Sequence, residues 1–253
     1  MKLSDFTAVM EQIAPRDLAL EFDNPGLLIE PDHEDIVNVL VALDCTKAVA
    51  EEAIIWGADL VVTHHPLFFH PVKHMAYSDP ATRAACMLIR NGIGLFSAHT
   101  NLDAARGDVN DTLCSMFGIC DAIPFDEGVG RVGTLKTPET LSVFVKRAET
   151  LLDTKALVTG DLDAQISRVA VMGGSGGDSI ALAAAQGAEV LLTGEVKHSD
   201  AIDAMTLGLS LVVAGHYETE AIVLAPLIKR LQNDCFGVQY NLSRSDGSPF
   251  VRL

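Results

Sequence analysis

A chain of 253 residues, 49% of them hydrophobic and with a mean hydropathy of +0.27, is long enough for one large domain or two smaller ones and too apolar for disorder. Its 18 basic against 34 acidic residues give a net charge of −16, which argues against unassisted binding to nucleic acid or an anionic membrane because both would repel it. The chain has no apolar run of membrane-spanning length and no signal-peptide pattern at its N-terminus, and its five cysteines form no C-x-x-C pair, which together point to a reducing cytoplasm.

Short apolar runs alternate with helix-length segments, the pattern of βα units around a mainly parallel sheet. Asn38–Leu43 reads as a buried strand, Thr46–Trp56 as a helix and Leu60–Thr63 as the next strand. Asp79 and Pro80 form an N-cap and N1 pair for a helix over Asp79–Asn91, and Leu95–Ser97 follows as a strand. Cys114 and Cys120 lie in or beside a helical stretch and read as core. The glycine-rich run Phe125–Leu135 marks a turn into a new strand and the domain boundary, with a helix over Pro138–Asp153 and a short strand at Ala156–Thr159.

The second half then repeats the first. Arg168–Met172, Val190–Thr193 and Leu211–Ala214 read as strands, with helices at Asp178–Gln186 and Ser199–Leu207 between them. "GADLVVTHH" (57–65) lies without a gap on "GAEVLLTGE" (187–195), and "LFSAHTNLD" (95–103) on "VVAGHYETE" (212–220), which favours internal duplication. The alignment equates His65 with Glu195 and His99 with His216. Pro226 should kink or restart a helix within Thr219–Leu231, and a turn at Asp246–Gly247 precedes an edge strand. The expected domains are 1–125, with the tail 233–253 packing beside it, and 126–232.

In open α/β sheets ligands bind outside the carboxyl ends of the strands. This chain places His64 and His65 there after the second strand, His99 with Asp103 after the third, Glu195 with His198 after Val190–Thr193, and His216 with Glu220 after Leu211–Ala214. A four-residue spacing puts an imidazole and a carboxylate on one helix face, where they can converge on one ion. Donors of this kind, without thiolate, suit Zn, Mn, Fe or Co, and the set His64, His65, Asp103, His216 and Glu220 reads as a metal site. His33, His70 and His74 are left out of it. The stretch Gly173–Ser179 ("GGSGGDS") follows a strand and opens a helix. Gly174, Ser175, Gly176 and Gly177 are therefore candidates for holding a phosphate on backbone amides, with a tight strand-to-helix turn as the alternative.

The motifs "VVTHHPLFF", "SAHTNLDAARGDVND", "GVGRVGTL", "GGSGGDS", "LLTGEVKHSDA" and "GHYETE", in this order, resemble the Ngg-interacting-factor-three-like family in its short bacterial form. Bacterial members are commonly named GTP cyclohydrolase I type 2 homologues. The resemblance implies two similar α/β domains facing each other across a cleft, a dinuclear centre of divalent ions in that cleft, and a toroidal homohexamer. It implies that His64 and His216 bind one ion, that His65 and Asp103 bind the other, and that Glu220 bridges both. His99, Glu195 and His198 then line the site and move protons. The implied activity is metal-dependent hydrolysis that opens the guanine ring of GTP or a related nucleotide. A dinuclear iron oxidase or oxygenase and a metal-binding regulatory protein without turnover are the alternatives.

Overall fold

The computed structural model describes residues 1–107 and 109–251. It opens with helix α1 (Leu3–Ile13), strands β1 (Gly26–Ile29) and β2 (Asn38–Ala42), helix α2 (Lys47–Trp56), strand β3 (Leu60–Thr63), helix α3 (Pro80–Arg90), strand β4 (Gly94–Ser97) and the short helix α4 (Thr100–Ala104). Next come α5 (Val109–Phe117), β5 (Ile119–Phe125), β6 (Gly130–Thr140), α6 (Leu141–Leu151), β7 (Leu157–Thr159), β8 (Gln165–Ser175) and α7 (Ile180–Ala185). The chain continues through β9 (Val190–Glu195), α8 (His198–Thr206), β10 (Ser210–Val213) and α9 (His216–Glu220), and closes with α10 (Leu224–Asp234) and β11 (Gln239–Leu242). Among the described residues no helix is long and apolar enough to cross a membrane.

The chain divides into two units. The first comprises residues 1–105 and 224–247, the second residues 106–223 with the end of the chain. The first unit holds a sheet ordered β1-β4-β3-β2-β11, and the second a sheet ordered β5-β6-β8-β9-β10-β7. This division falls about twenty residues before the boundary expected at 125/126, because β5 is not the end of the first domain. It pairs antiparallel with β6 and is covered by α5, so it belongs to the second sheet. The returning tail joins the first unit, where β11 pairs parallel with β2. The edge strand expected after the turn at Asp246–Gly247 is not found among the described residues; the edge of this sheet is β11, which precedes that turn.

The local chemistry explains most element ends. The Thr46 hydroxyl accepts from Val49 N–H to start α2, and Gly57 closes it at φ 74°, the left-handed region open to glycine. Asp79 caps α3 ahead of Pro80, as its sequence requires. Pro138 opens no helix. It lies in β6, where the ladder to β8 is irregular between Thr134 and Glu139, and α6 starts only at Leu141 behind its Thr140 cap. Pro226 sits in the first turn of α10, which restarts after the turn at Ala221–Val223. In the first unit β2, β3 and β4 are apolar on both faces because both are covered. One side carries Val49, Ala53, Ala85 and Leu88 of α2 and α3; on the other, α10 packs against β2 and α1. In the second unit Ala183 of α7 and Ala204 of α8 pack on Ala170, Leu191 and Leu211, while α5 packs against β6 and β8.

The duplication is visible in the register. Val39 pairs with Leu60 and Val169 with Val190, both in parallel ladders, so β2-α2-β3 and β8-α7-β9 are the same unit displaced by 130 residues. The correspondence reaches side chains. Asp59 accepts the amides of Val37 and Asn38, and Glu189, its counterpart, accepts those of Ser167 and Arg168. Each sheet also adds an antiparallel strand beyond the third parallel one, β1 on β4 and β7 on β10.

Asp59 has a second role. His33 bridges it to Asp32, with Nδ1 2.7 Å from Asp32 and Nε2 3.0 Å from Asp59. The Asp32 hydrogen bond, reinforced by Asp59, outweighs partial burial and raises the imidazole above its ordinary value of 6.5. A raised folded-state value means the charged form stabilises the fold fully below that ordinary value and stops doing so as pH rises through the folded one. Urea unfolding of wild type and His33→Gln should therefore show a stability gap below the ordinary value of 6.5 that narrows as pH rises above it. A gap that widens with pH would refute the assignment.

Candidate metal-binding residues

In the first unit the strand ends bring three histidines together. Ligand atoms of His64, His65 and His99 all lie within 4.8 Å of one another, and the ring centroids are 5.2 to 5.6 Å apart. His64 and His65 follow β3, where their amides still donate to Ala42 and Leu43 of the neighbouring strand, so the backbone holding both rings is part of the sheet. His64 is buried and His65 half-buried.

Each ring is oriented through Nδ1. That of His64 is 2.9 Å from the Ala98 carbonyl, that of His65 2.9 Å from Asp44 Oδ1, and that of His99 2.9 Å from Asp23 Oδ1. Carbonyl and carboxylate oxygens only accept, so Nδ1 is the donor in each of these three contacts. This is the arrangement by which outer groups fix the tautomer of metal-ligating histidines. The His64 Nε2 atom lies 3.6 Å from Oδ1 of Asp103, which is itself buried in the first unit. Two ligands of one ion bonded at about 2.0–2.1 Å stand roughly 3.0–3.5 Å apart, so the pair fits a shared cation better than a direct hydrogen bond, whereas the resemblance puts His64 and Asp103 on different ions.

Asp23 was not among the residues singled out from the sequence, yet it anchors His99. Burial pushes its carboxyl up, but hydrogen bonds from His99, Thr100 and the Asn24 amide prevail and hold it at about 2. Asp44 was missed as well, although it stands just past the end of β2 and extending the strand-end survey to that strand would have found it. Asp23 lies in a turn outside any strand and gave no such signal.

In the second unit His216 opens α9, with Nε2 3.0 Å from Glu220 Oε2 one turn on and Nδ1 3.2 Å from Glu195 Oε1. The four-residue spacing therefore works here as expected. Glu220 is buried and Glu195 exposed. His198 is exposed at the start of α8.

The expected equivalence of His99 and His216 needs correction by one residue. The amides of Ala98 and Ala214 donate to Thr63 and Thr193, which are 130 apart, so the third strands are displaced by 116. His99 then corresponds to Gly215, and both are the residue just before their short helix. His216 corresponds to Thr100, and Asp103 to Thr219. The aligned letters matched; the ladders do not.

Glycines clear space for the second set. A Cβ at Gly174 would collide with Glu220 Oε1 and come within 3.1 Å of His216 Nε2, and Gly174 stands at φ 65°. At Gly194, the counterpart of His64, it would meet the Gly174 carbonyl and the His216 Cα. The Gly173 and Gly174 amides donate to Asn110 and Thr219, so they turn inward. A Cβ at Gly176 or Gly177 would strike Thr193 or Asp200. Beside them a cavity of about 280 Å³ is lined by Ser175 and Gly177, by the carboxylates Asp178, Glu195 and Asp200, and by Lys197. The glycine run answers to close packing, as in the strand-to-helix-turn alternative.

A model of the family Duf34/NIF3 (NGG1p interacting factor 3) matches residues 1–249. The chain belongs to this family. This Duf34/NIF3 chain is 36% identical over 262 residues to a Clostridium perfringens protein named GTP cyclohydrolase 1 type 2 homolog, with 99% of each chain covered. It is 34% identical over 274 residues to the Protein NIF3 homolog of Schizosaccharomyces pombe, covering 99% of this chain and 98% of the relative. Its fold matches the crystal structure of a Bacillus cereus protein related to NIF3 at a TM-score of 0.90, with 25% identity over 100% of this chain and 99% of that one. The resemblance read from the motifs and the mixed α/β architecture with two sheets both stand.

Proposed function

We propose that this Duf34/NIF3 chain is a metal-dependent hydrolase that uses His64, His65, Asp103, His216 and Glu220 to hold two divalent ions. The observation that carries the reading is the histidine cluster of the first unit, in which an acceptor holds Nδ1 of His64 and of His65, as outer groups do for metal-ligating histidines. The donor set fits Zn, Mn, Fe or Co, being imidazole and carboxylate without thiolate; Cys45, next to Asp44 in the chain, is buried with its thiol pushed up to about 12. When bound, such ions lower the pKa of a coordinated water and polarise the bond under attack.

The chain's own residues do the rest. Asp44 and the Ala98 carbonyl keep His65 and His64 in the ligating tautomer. His99, held by Asp23, presents Nε2 beside them and can accept a proton there, while Glu195 is an exposed carboxylate on His216 Nδ1 that can pass one to solvent. The substrate class follows from the relatives' name: opening of a guanine-type ring by water, with loss of formate. The test is metal analysis of protein purified without chelators, together with a formate-release assay on GTP. About two divalent ions per chain and formate release that chelation abolishes support the reading. A metal-free protein, or a loaded one inert to GTP and related nucleotides, refutes the corresponding half of it.

A further inference from the structure

The loop between β3 and α3 leaves large apolar side chains in water. Phe69, Val72, Met75 and Tyr77 are exposed, and so is Phe22, which approaches the same place from the loop before β1. Phe22 and Phe69 form a tilted ring pair with centroids 5.8 Å apart. Between these loops lies a cavity of about 460 Å³, with Phe69, Pro71, Val72 and Met75 as its apolar wall and Asp23 and Asn24 as polar neighbours. Exposed apolar groups gathered into a concave site, rather than scattered singly, mark a binding surface.

The cavity is joined to the histidine cluster through one side chain. The Phe69 ring stands edge-on to His99 at 5.7 Å between centroids, and His99 is 5.2 Å from His64. A flat ring lying on Phe69 is thus one ring's width from the histidines. The charges choose the ligand further. Among the described residues no Lys or Arg lines this cavity, and its one basic side chain is His70. The Asp23 oxygens already accept from the Asn24 amide, from His99 and from both the amide and the hydroxyl of Thr100, so this carboxylate offers negative charge and no spare acceptor. A phosphate would find a carboxylate and no Lys or Arg among the described lining residues, whereas an uncharged planar ring would find an aromatic face, a thioether and aliphatic walls.

We propose that this cavity is a binding site for an uncharged planar ring, stacked on Phe69 and delivered to the edge of the histidine cluster. The inference deepens the hydrolase reading by naming the part of a substrate held beside the histidines, and its test requires no turnover. Titrations followed by ligand-observed NMR would use indole and adenosine as uncharged planar probes and ribose 5-phosphate as the anionic one. They would be run on wild type, Phe69→Ala, Phe69→Trp and, as a control, Ile55→Ala, an exposed apolar residue of α2 that does not line the cavity. Metal content and molecular mass would be measured for each. The expected result is binding of both planar probes, weakened roughly tenfold in Phe69→Ala by loss of a stacking face, retained in Phe69→Trp and Ile55→Ala, and not displaced by ribose 5-phosphate. The proposal is overturned if the planar probes do not bind at millimolar concentration, if ribose 5-phosphate competes with them, or if Phe69→Ala binds like wild type. A change of molecular mass in Phe69→Ala with probe binding intact would also overturn it, since the face would then join copies of the chain. Probe binding by metal-free wild type would leave this site standing and sink the hydrolase reading; metal without probe binding would do the reverse.

Discussion

Gly194→Ala is expected to lower stability by about 3 kcal/mol, the upper end of what overpacking a tight site costs, and to strip metal from the His216 side of the site. A Cβ there would lie 2.5 Å from the Gly174 carbonyl oxygen, 2.7 Å from the His216 Cα and 2.7 Å from the Thr219 hydroxyl. Two of these atoms are backbone, so no rotamer change relieves the clash. The third is also fixed: the Thr219 hydroxyl lies within hydrogen-bond distance of the Gly174 amide and the Gly215 carbonyl, tying β8 to α9. Relief must come from moving the start of α9, which carries His216 and Glu220. Gly208→Ala is the comparison. Its Cβ meets nothing, so at φ 72° it loses only the left-handed preference, about 1–2 kcal/mol. Urea denaturation and metal-to-protein ratios of the two variants would decide. A Gly194→Ala protein as stable as Gly208→Ala, with wild-type metal, would remove the packing argument.

Sequence pattern was most informative where two levels agreed. The parallel strands were legible because full coverage makes β2, β3, β4 and β9 continuous apolar runs between turn signals, and the 130-residue repeat was legible because the ladders it implies are the same. It failed where pairing decides. Whether Ile119–Phe125 closes one sheet or opens another depends on its partner, and residues exposed or half-buried at most of its positions show little apolar periodicity. The one-residue slip after the third strand is of the same kind: His-x-x-x-Asp and His-x-x-x-Glu match as letters, but main-chain bonds set the register, and they place His99 before its helix and His216 inside it. The ligand candidates were found through strand ends and helical spacing. The groups that orient them, Asp23, Asp44 and the Ala98 carbonyl, come from turns and backbone and leave no such mark.

That slip sharpens the last prediction. Were His99 and His216 true counterparts, symmetry would make both of them ligands; since they are not, their roles are free to differ. His216 shares one turn of α9 with Glu220, 3.0 Å away, whereas Asp103 faces His64, and His99 is turned by Asp23. Glu220→Gln is therefore expected to lose or severely weaken metal binding across the whole centre, because a neutral amide is a much poorer bridge between two cations than a carboxylate. His99→Ala is expected to keep both ions and lower turnover instead. It should also cost stability, about 1–3 kcal/mol, because the buried Asp23 carboxylate loses a partner while Thr100 and the Asn24 amide remain. Metal-to-protein ratios and urea unfolding of wild type and both variants, purified identically, separate the two roles. Full occupancy in Glu220→Gln with loss in His99→Ala would invert them, and the ions would then have to be assigned to the three first-unit histidines with Asp103.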